Sequence, residues 1–286
     1  MKILVTGSNG QLGKEFNQIK DSFSHEFLFS NTDNLNICSR ESINSFLKNK
    51  NIDCIINCAA YTDVEKAEYE KEKAYEVNCN GVENLVIYCE KNNVKLIHFS
   101  TDYVYNSNSL NPISEEECIN PQNYYGLTKR MGEKHVEYSK SESIVIRTSW
   151  LYSKHGKNFV NTIIEKSYKQ KEIKVIFDQY GCPTYAKDLA IDVLKILNNK
   201  NKLDYKGKIF NYSNIGATNW ADFAKKIIEL NGTKNIIKSV KSNYFKSAVK
   251  RPKFAVTNKS KIYKAFNLNI NYWDISLNNY ITKDLK

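Results

Sequence analysis

The chain has 286 residues, 41% of them hydrophobic, 12% aromatic and 26% charged, a globular composition that excludes a disordered or fibrous protein. Its formal net charge of +11 raises the question of an acidic partner. No run approaches the roughly 20 apolar residues of a membrane span, so no membrane partner is expected.

The chain starts directly in a short apolar segment, too brief for the core of a secretion signal, and a cytoplasmic location is expected. Seven cysteines form no paired Cys-x-x-Cys set and the four histidines are scattered, so the cysteines are read as reduced thiols and no metal is assigned. The length predicts one large unit with a smaller companion.

In chain order, the first half alternates apolar runs with amphipathic stretches. Strands are predicted at Lys2–Thr6, Glu26–Phe29, 54–58, 95–100 and 144–148, with helices at 11–20, 39–49, 63–92 and 124–139. Runs without polar alternation are what strands covered on both faces look like. The alternation of strand and helix therefore predicts an α/β fold with a doubly wound parallel sheet. After Trp150 the pattern is weaker: helices are expected at 159–169, Ala186–Asn198, Trp220–Asn231 and 276–281, and a strand at 208–212. From Thr233 to Lys264 there are ten Lys or Arg and no Asp or Glu, read mainly as a solvated face, with Arg251 beside Pro252 the better functional candidate.

Two motifs carry chemistry. The first strand runs into Gly7-Ser8-Asn9-Gly10-Gln11-Leu12-Gly13, which opens a helix. Glycines at this spacing allow a tight turn and close backbone approach to a pyrophosphate, while the helix N-terminus offers N–H groups to the anion. An acidic residue that would select a ribose hydroxyl comes only at Asp33, late after the second strand, so NADPH and NADH both remain open. Further on, Tyr125 and Lys129 stand four apart on one predicted helix face, the spacing at which an ammonium can lower a neighbouring phenol's pKa and hold a cofactor ribose. An isolated pair of this kind also occurs on exposed helix turns. Thr101, at the carboxyl end of a predicted strand, sets it apart by supplying a hydroxyl to a substrate carbonyl in the ligand crevice.

With these blocks in order, together with residues 57–68 (NCAAYTDVEKAE), 100–105 (STDYVY), 147–150 (RTSW), 178–189 (DQYGCPTYAKDL) and Arg251-Pro252, the sequence resembles the dTDP-4-dehydrorhamnose reductase family of extended short-chain dehydrogenases/reductases. The resemblance spans nearly the whole chain. It implies a Rossmann sheet in residues 1–150, with 185–213 returning to it, and a smaller α/β substrate-binding domain from 151–184 and 214–286. It implies hydride transfer from NADPH or NADH to C4 of a nucleotide-linked 4-keto-6-deoxy sugar, feeding polysaccharide synthesis.

Carried over by position, Thr101, Tyr125 and Lys129 match the catalytic set. Gly7, Gly10, Gln11, Leu12 and Gly13 match the pyrophosphate loop, Asn36 and Ile37 the adenine contact, and Ala60, Tyr61 and Thr62 the nicotinamide side. Thr101, Asp102, Trp150 and Arg251 are the substrate-binding candidates, with Trp150 expected as a wall of the sugar pocket rather than core. Cys58 and Tyr105-Asn106 depart from the family pattern. A dehydratase of the same fold would need a second carboxylate after Thr101-Asp102, where Tyr103 stands. A non-catalytic regulatory subunit would not need Tyr125 and Lys129, and no nucleic-acid module is present, so the expected partner is a small nucleotide sugar. The resemblance leaves a homodimer open.

Overall fold

Strands form where the apolar runs are uninterrupted. In a computed structural model that describes residues 1–106, 111–199 and 206–285, β1 (Lys2–Thr6), β2 (Glu26–Phe29), β3 (Cys54–Asn57), β4 (Lys95–Thr101) and β5 (Ser143–Thr148) lie parallel in one sheet. The strand Lys208–Asn211 pairs with β5 in parallel, giving the order Lys208–Asn211, β5, β4, β3, β1, β2.

Successive side chains go to opposite faces. Ile3, Val5, Ile56, Ile97, Phe99, Ile144 and Ile146 pack on one side, while Leu4, Ile55, Leu96 and Val145 pack on the other. The helices α1 (Gln11–Ile19) and α7 (Ala186–Asn198) cover the first face, and α2 (Arg40–Leu47) and α4 (Gly81–Asn92) cover the second. Burial on both sides explains why the sheet reads as apolar runs. Among the described residues no helix is long and apolar enough to cross a membrane.

The predicted helix over 63–92 is too long at its start. Asp63 turns the chain by accepting the Lys66 N–H at 3.0 Å, a 3-10 turn follows at Lys66–Glu68, and helix begins only with α3 (Lys71–Tyr75). A wide π-helical turn, Glu76–Asn80, then joins α3 to α4 and carries the buried Asn78. Such turns inside helices are frequent at functional sites. At the other end of the chain, the helix expected at 276–281 runs from Trp273 to Asn279 and continues as a π-helical turn to Asp284.

A third core lies outside the main sheet. Its strands, Glu172–Ile176 and Ile236–Val240, pair in parallel, with α6 (Phe159–Ser167) and α8 (Trp220–Asn231) contributing Val160, Ile163, Phe223 and Ile227. Neither strand is anticipated from the sequence.

Candidate active site

Going outward from β1, the sheet adds β2 on one side and β3 on the other, which leaves a crevice at the carboxyl ends of β1 and β3. Gly7 turns there with φ +62°, a conformation that disfavours any side chain, and a Cβ on it would lie 2.6 Å from the Ala59 nitrogen. A Cβ on Gly13 would lie 2.5 Å from the Gly7 carbonyl oxygen. Gly10 begins α1 without a side-chain cap, and Gly10, Gln11 and Leu12 line the cleft. This tight, uncapped helix start fits the pyrophosphate of a dinucleotide.

The cleft has a volume of about 510 Å³, and Ala60, Thr62, Thr101, Tyr125, Lys129 and Trp150 open into it. Asp102 and Cys58 also line it. Thr101 ends β4 and caps the following turn, accepting the Tyr103 N–H at 3.2 Å and donating to Asp102 at 3.2 Å. Tyr125 and Lys129 come from α5 (Tyr124–Glu137), whose start Asn123 caps by accepting the Gly126 N–H at 2.8 Å. Gly126 lets α5 lie directly on that turn, since a Cβ there would sit 2.4 Å from the Tyr103 carbonyl oxygen.

Electrostatics sort these groups. Burial pushes the Tyr125 phenol up, with Asp102 and Tyr103 adding to the effect and Thr101 opposing it. Burial pushes Asp102 up to about 7, and its Oδ2 has no hydrogen-bond partner among the described residues. Lys129, 2% exposed, is lowered to about 8 by burial, against the pull of Glu133 and Cys58. Burial thus holds the phenol towards its protonated form and weakens the lysine's own charge. A phenol that stays protonated is suited to give a proton rather than take one.

Other expected residues lie differently. Tyr61 is half-buried and fixed through its backbone, its N–H donating to Asn78 Oδ1 at 2.9 Å and its carbonyl accepting from Asn78 Nδ2 at 3.0 Å. Ile37 is buried in the core beneath α4, and Asn36 is exposed with its side chain accepting the Cys38 N–H. Arg251 does not line the reaction cleft. It bonds Glu65 at 2.7 Å and Ser247 at 2.9 Å, and lines a neighbouring cavity of about 260 Å³ with Lys166, Lys174, Phe159, Phe245 and Trp220.

Trp150 lines the cleft and also packs on the third core. Its backbone sits at φ +44°, and its indole stacks on Trp220 at 3.4 Å between ring centroids with 8° between planes. Trp220 borders both cavities. Sequence reasoning missed Trp220 and Asn78. It also missed Asn57 and His98, whose signal was a polar residue within a fully buried strand.

The glycine turn at the sheet's reversal, with a strand-end Thr and a helical Tyr and Lys facing it, defines an extended short-chain dehydrogenase/reductase. A family model described as "RmlD substrate binding domain" matches residues 1–285. Over 280 residues the chain is 32% identical to the spore coat polysaccharide biosynthesis protein SpsK of Bacillus subtilis, covering 98% of this chain and 96% of that protein. The crystal structure of a dTDP-4-dehydrorhamnose reductase from Clostridium acetobutylicum matches with a TM-score of 0.93 at 35% identity, over 100% of this chain and 99% of that one. That of dTDP-4-dehydrorhamnose reductase from Bacillus anthracis, in complex with NADP, matches with a TM-score of 0.92 at 31% identity over 98% of each chain. The chain belongs to the RmlD family.

Proposed function

We propose that this protein is a cytoplasmic reductase that uses NADPH or NADH to convert the C4 keto group of dTDP-4-dehydro-L-rhamnose to the alcohol of dTDP-L-rhamnose, for cell-surface polysaccharide synthesis. The observation that carries this reading is that Thr101, Tyr125 and Lys129 open into the same cleft as the glycine turn. The family membership and the NADP complex of the Bacillus anthracis relative support it.

When bound, the reduced nicotinamide supplies the hydride. Gly7, Gly10, Gln11, Leu12 and Gly13 would hold the pyrophosphate, residues 60–62 the nicotinamide side, and Asn36 and Ile37 the adenine. Tyr125 gives its phenolic proton to the C4 oxygen, and the Thr101 hydroxyl donates a hydrogen bond to the same atom. Asp102 and Trp150 face the sugar. Residues 1–150 with 185–213 form the cofactor unit, and 151–184 with 214–286 the substrate unit. The second cavity, with Lys166, Lys174 and Arg251 beside Phe159, Phe245 and Trp220, has the cations and ring faces suited to a nucleoside diphosphate.

The test is incubation of the purified protein with NADPH or NADH and a panel of 4-keto sugar nucleotides, following loss of reduced-nicotinamide absorbance with product analysis. Turnover of the dTDP-linked 4-keto sugar is expected. Binding of cofactor with no turnover of any member would contradict it.

A further inference from the structure

Lys129 has a buried neighbour on the side away from solvent. Its Nζ lies 3.4 Å from Nε2 of His98, a fully buried residue of β4. The other ring nitrogen of His98, Nδ1, lies 3.0 Å from Nδ2 of Asn57, which faces it across the β3 and β4 pair. The far side of Asn57 fixes the direction of that bond. Its Oδ1 accepts from the Thr6 hydroxyl at 2.6 Å and from the Ala59 backbone N–H at 3.2 Å.

A backbone N–H can only donate, so the amide oxygen of Asn57 faces Ala59 and its NH2 faces His98. Nδ1 of His98 must then accept, and a neutral imidazole carries its one hydrogen on Nε2. That N–H faces Lys129. An ammonium has three donors and no lone pair, so it cannot accept this bond, whereas a neutral amine can.

We infer that Asn57 and His98 are positioning residues for the proposed reduction: together they present a fixed N–H to Lys129 that bonds only its neutral amine, and so ease the loss of its proton. The inference rests on the functional reading above, which gives Lys129 its place in the site.

The surroundings act with this arrangement. Burial and the neighbouring Lys129 hold His98 well below the usual histidine range, so its ring stays neutral. Of the other groups that face the lysine, Cys58 is half-buried, and desolvation raises its thiol's pKa, which leaves it uncharged. Glu133, one turn along α5, pulls towards the ammonium, but its two oxygens are occupied by Arg147 at 2.8 and 2.7 Å and by Arg130 at 3.1 Å. Tyr125, one turn back, is a protonated phenol. Burial lowers the lysine in the same direction.

Two substitutions reverse the arrangement. Asn57→Asp keeps acceptors for Thr6 and Ala59 while accepting from Nδ1–H, which turns Nε2 into an acceptor for the ammonium. His98→Gln adds no charge and can turn its carbonyl towards Lys129. In protein labelled with 13C-lysine, the Lys129 Cε titration is expected to move up by about one pH unit or more in both variants. The alkaline limb of the kcat/KM profile is expected to move with it. In the wild type, ring 15N shifts should show Nε2 protonated and Nδ1 not, a reading that needs no variant to fold.

An Nδ1–H tautomer in the wild type would overturn the inference, as would folded variants whose Lys129 titrates as before. A shift with Asn57→Asp but none with His98→Gln would assign the effect to added charge and overturn it equally. These spectra need no substrate, so an inactive enzyme with the expected titrations would count against the functional reading alone.

Discussion

The two walls of the reaction cleft are held by different forces. The wall carrying Thr101, Tyr125 and Lys129 is fixed by backbone contact and directed hydrogen bonds: the Asn123 cap, the close approach at Gly126 and the buried Arg147 and Glu133 pair behind α5. A second wall is a stack of rings, in which Trp150 lies on Trp220 and Trp220 on Phe159 behind the lining at 4.5 Å. Directed bonds fix atoms to within tenths of an ångström, as proton transfer requires, whereas ring faces hold a surface but allow it to slide. On the proposed reading, chemistry belongs to the first wall and the fit of the substrate to the second.

Substitutions should separate the walls by size and kind of effect. The largest is expected for Tyr125→Phe, which removes only the phenolic proton. Turnover should fall roughly 10²- to 10⁴-fold with cofactor affinity unchanged, and near-normal turnover would remove Tyr125 from the mechanism.

Next is the buried charge of Lys129. Its value in the folded protein, about 8, lies below its ordinary 10.5, so between these pH values the unfolded chain binds the proton more readily. Relative to Lys129→Met, the wild type should gain stability as pH rises from about 8 towards 10, by up to ~3 kcal/mol. Lys129→Met lacks this slope. Denaturant unfolding of both proteins from pH 7 to 10 checks it, and parallel curves would contradict it.

Gly126→Ala tests how tightly the first wall is built. The added methyl meets the Tyr103 carbonyl and displaces α5 by a fraction of an ångström to an ångström. A loss of about 10²-fold in kcat is expected with cofactor still bound. Steady-state kinetics showing an unchanged kcat would mean that α5 can shift without cost.

The smallest effect belongs to the second wall. Trp220→Ala leaves the reacting groups in place and removes a ring worth about 0.5–1.5 kcal/mol, so KM for the sugar nucleotide should rise roughly two- to tenfold with kcat little changed. A kcat effect equal to that of Gly126→Ala would erase the distinction between the walls.

The same contrast governs what the sequence discloses. Strands β1 to β5 are legible because burial on both faces leaves unbroken apolar runs, and the glycine turn and the Tyr and Lys spacing are local patterns. Glu172–Ile176 and Ile236–Val240 are not legible, since lysine and glutamate interrupt them and only their pairing with each other makes them strands. Arg251 stands out by composition, yet its cavity depends on α6 and α8 and no local pattern gives its distance from Thr101. Asn78 is hidden because a π-helical turn has no signature separate from the helix around it. His98 and Asn57 could have been read as polar residues in buried strands, but their joint direction towards Lys129 exists only once β3 and β4 pair.

Reduction in this cleft would move hydride to a C4 carbonyl. The most direct measurement uses NADPH deuterated at the transferring position with dTDP-4-dehydro-L-rhamnose, followed by mass and proton spectra of the product. The expected product is dTDP-L-rhamnose carrying a single deuterium at C4. Unchanged substrate with intact cofactor, or a product whose C4 hydrogen comes from water, would contradict it.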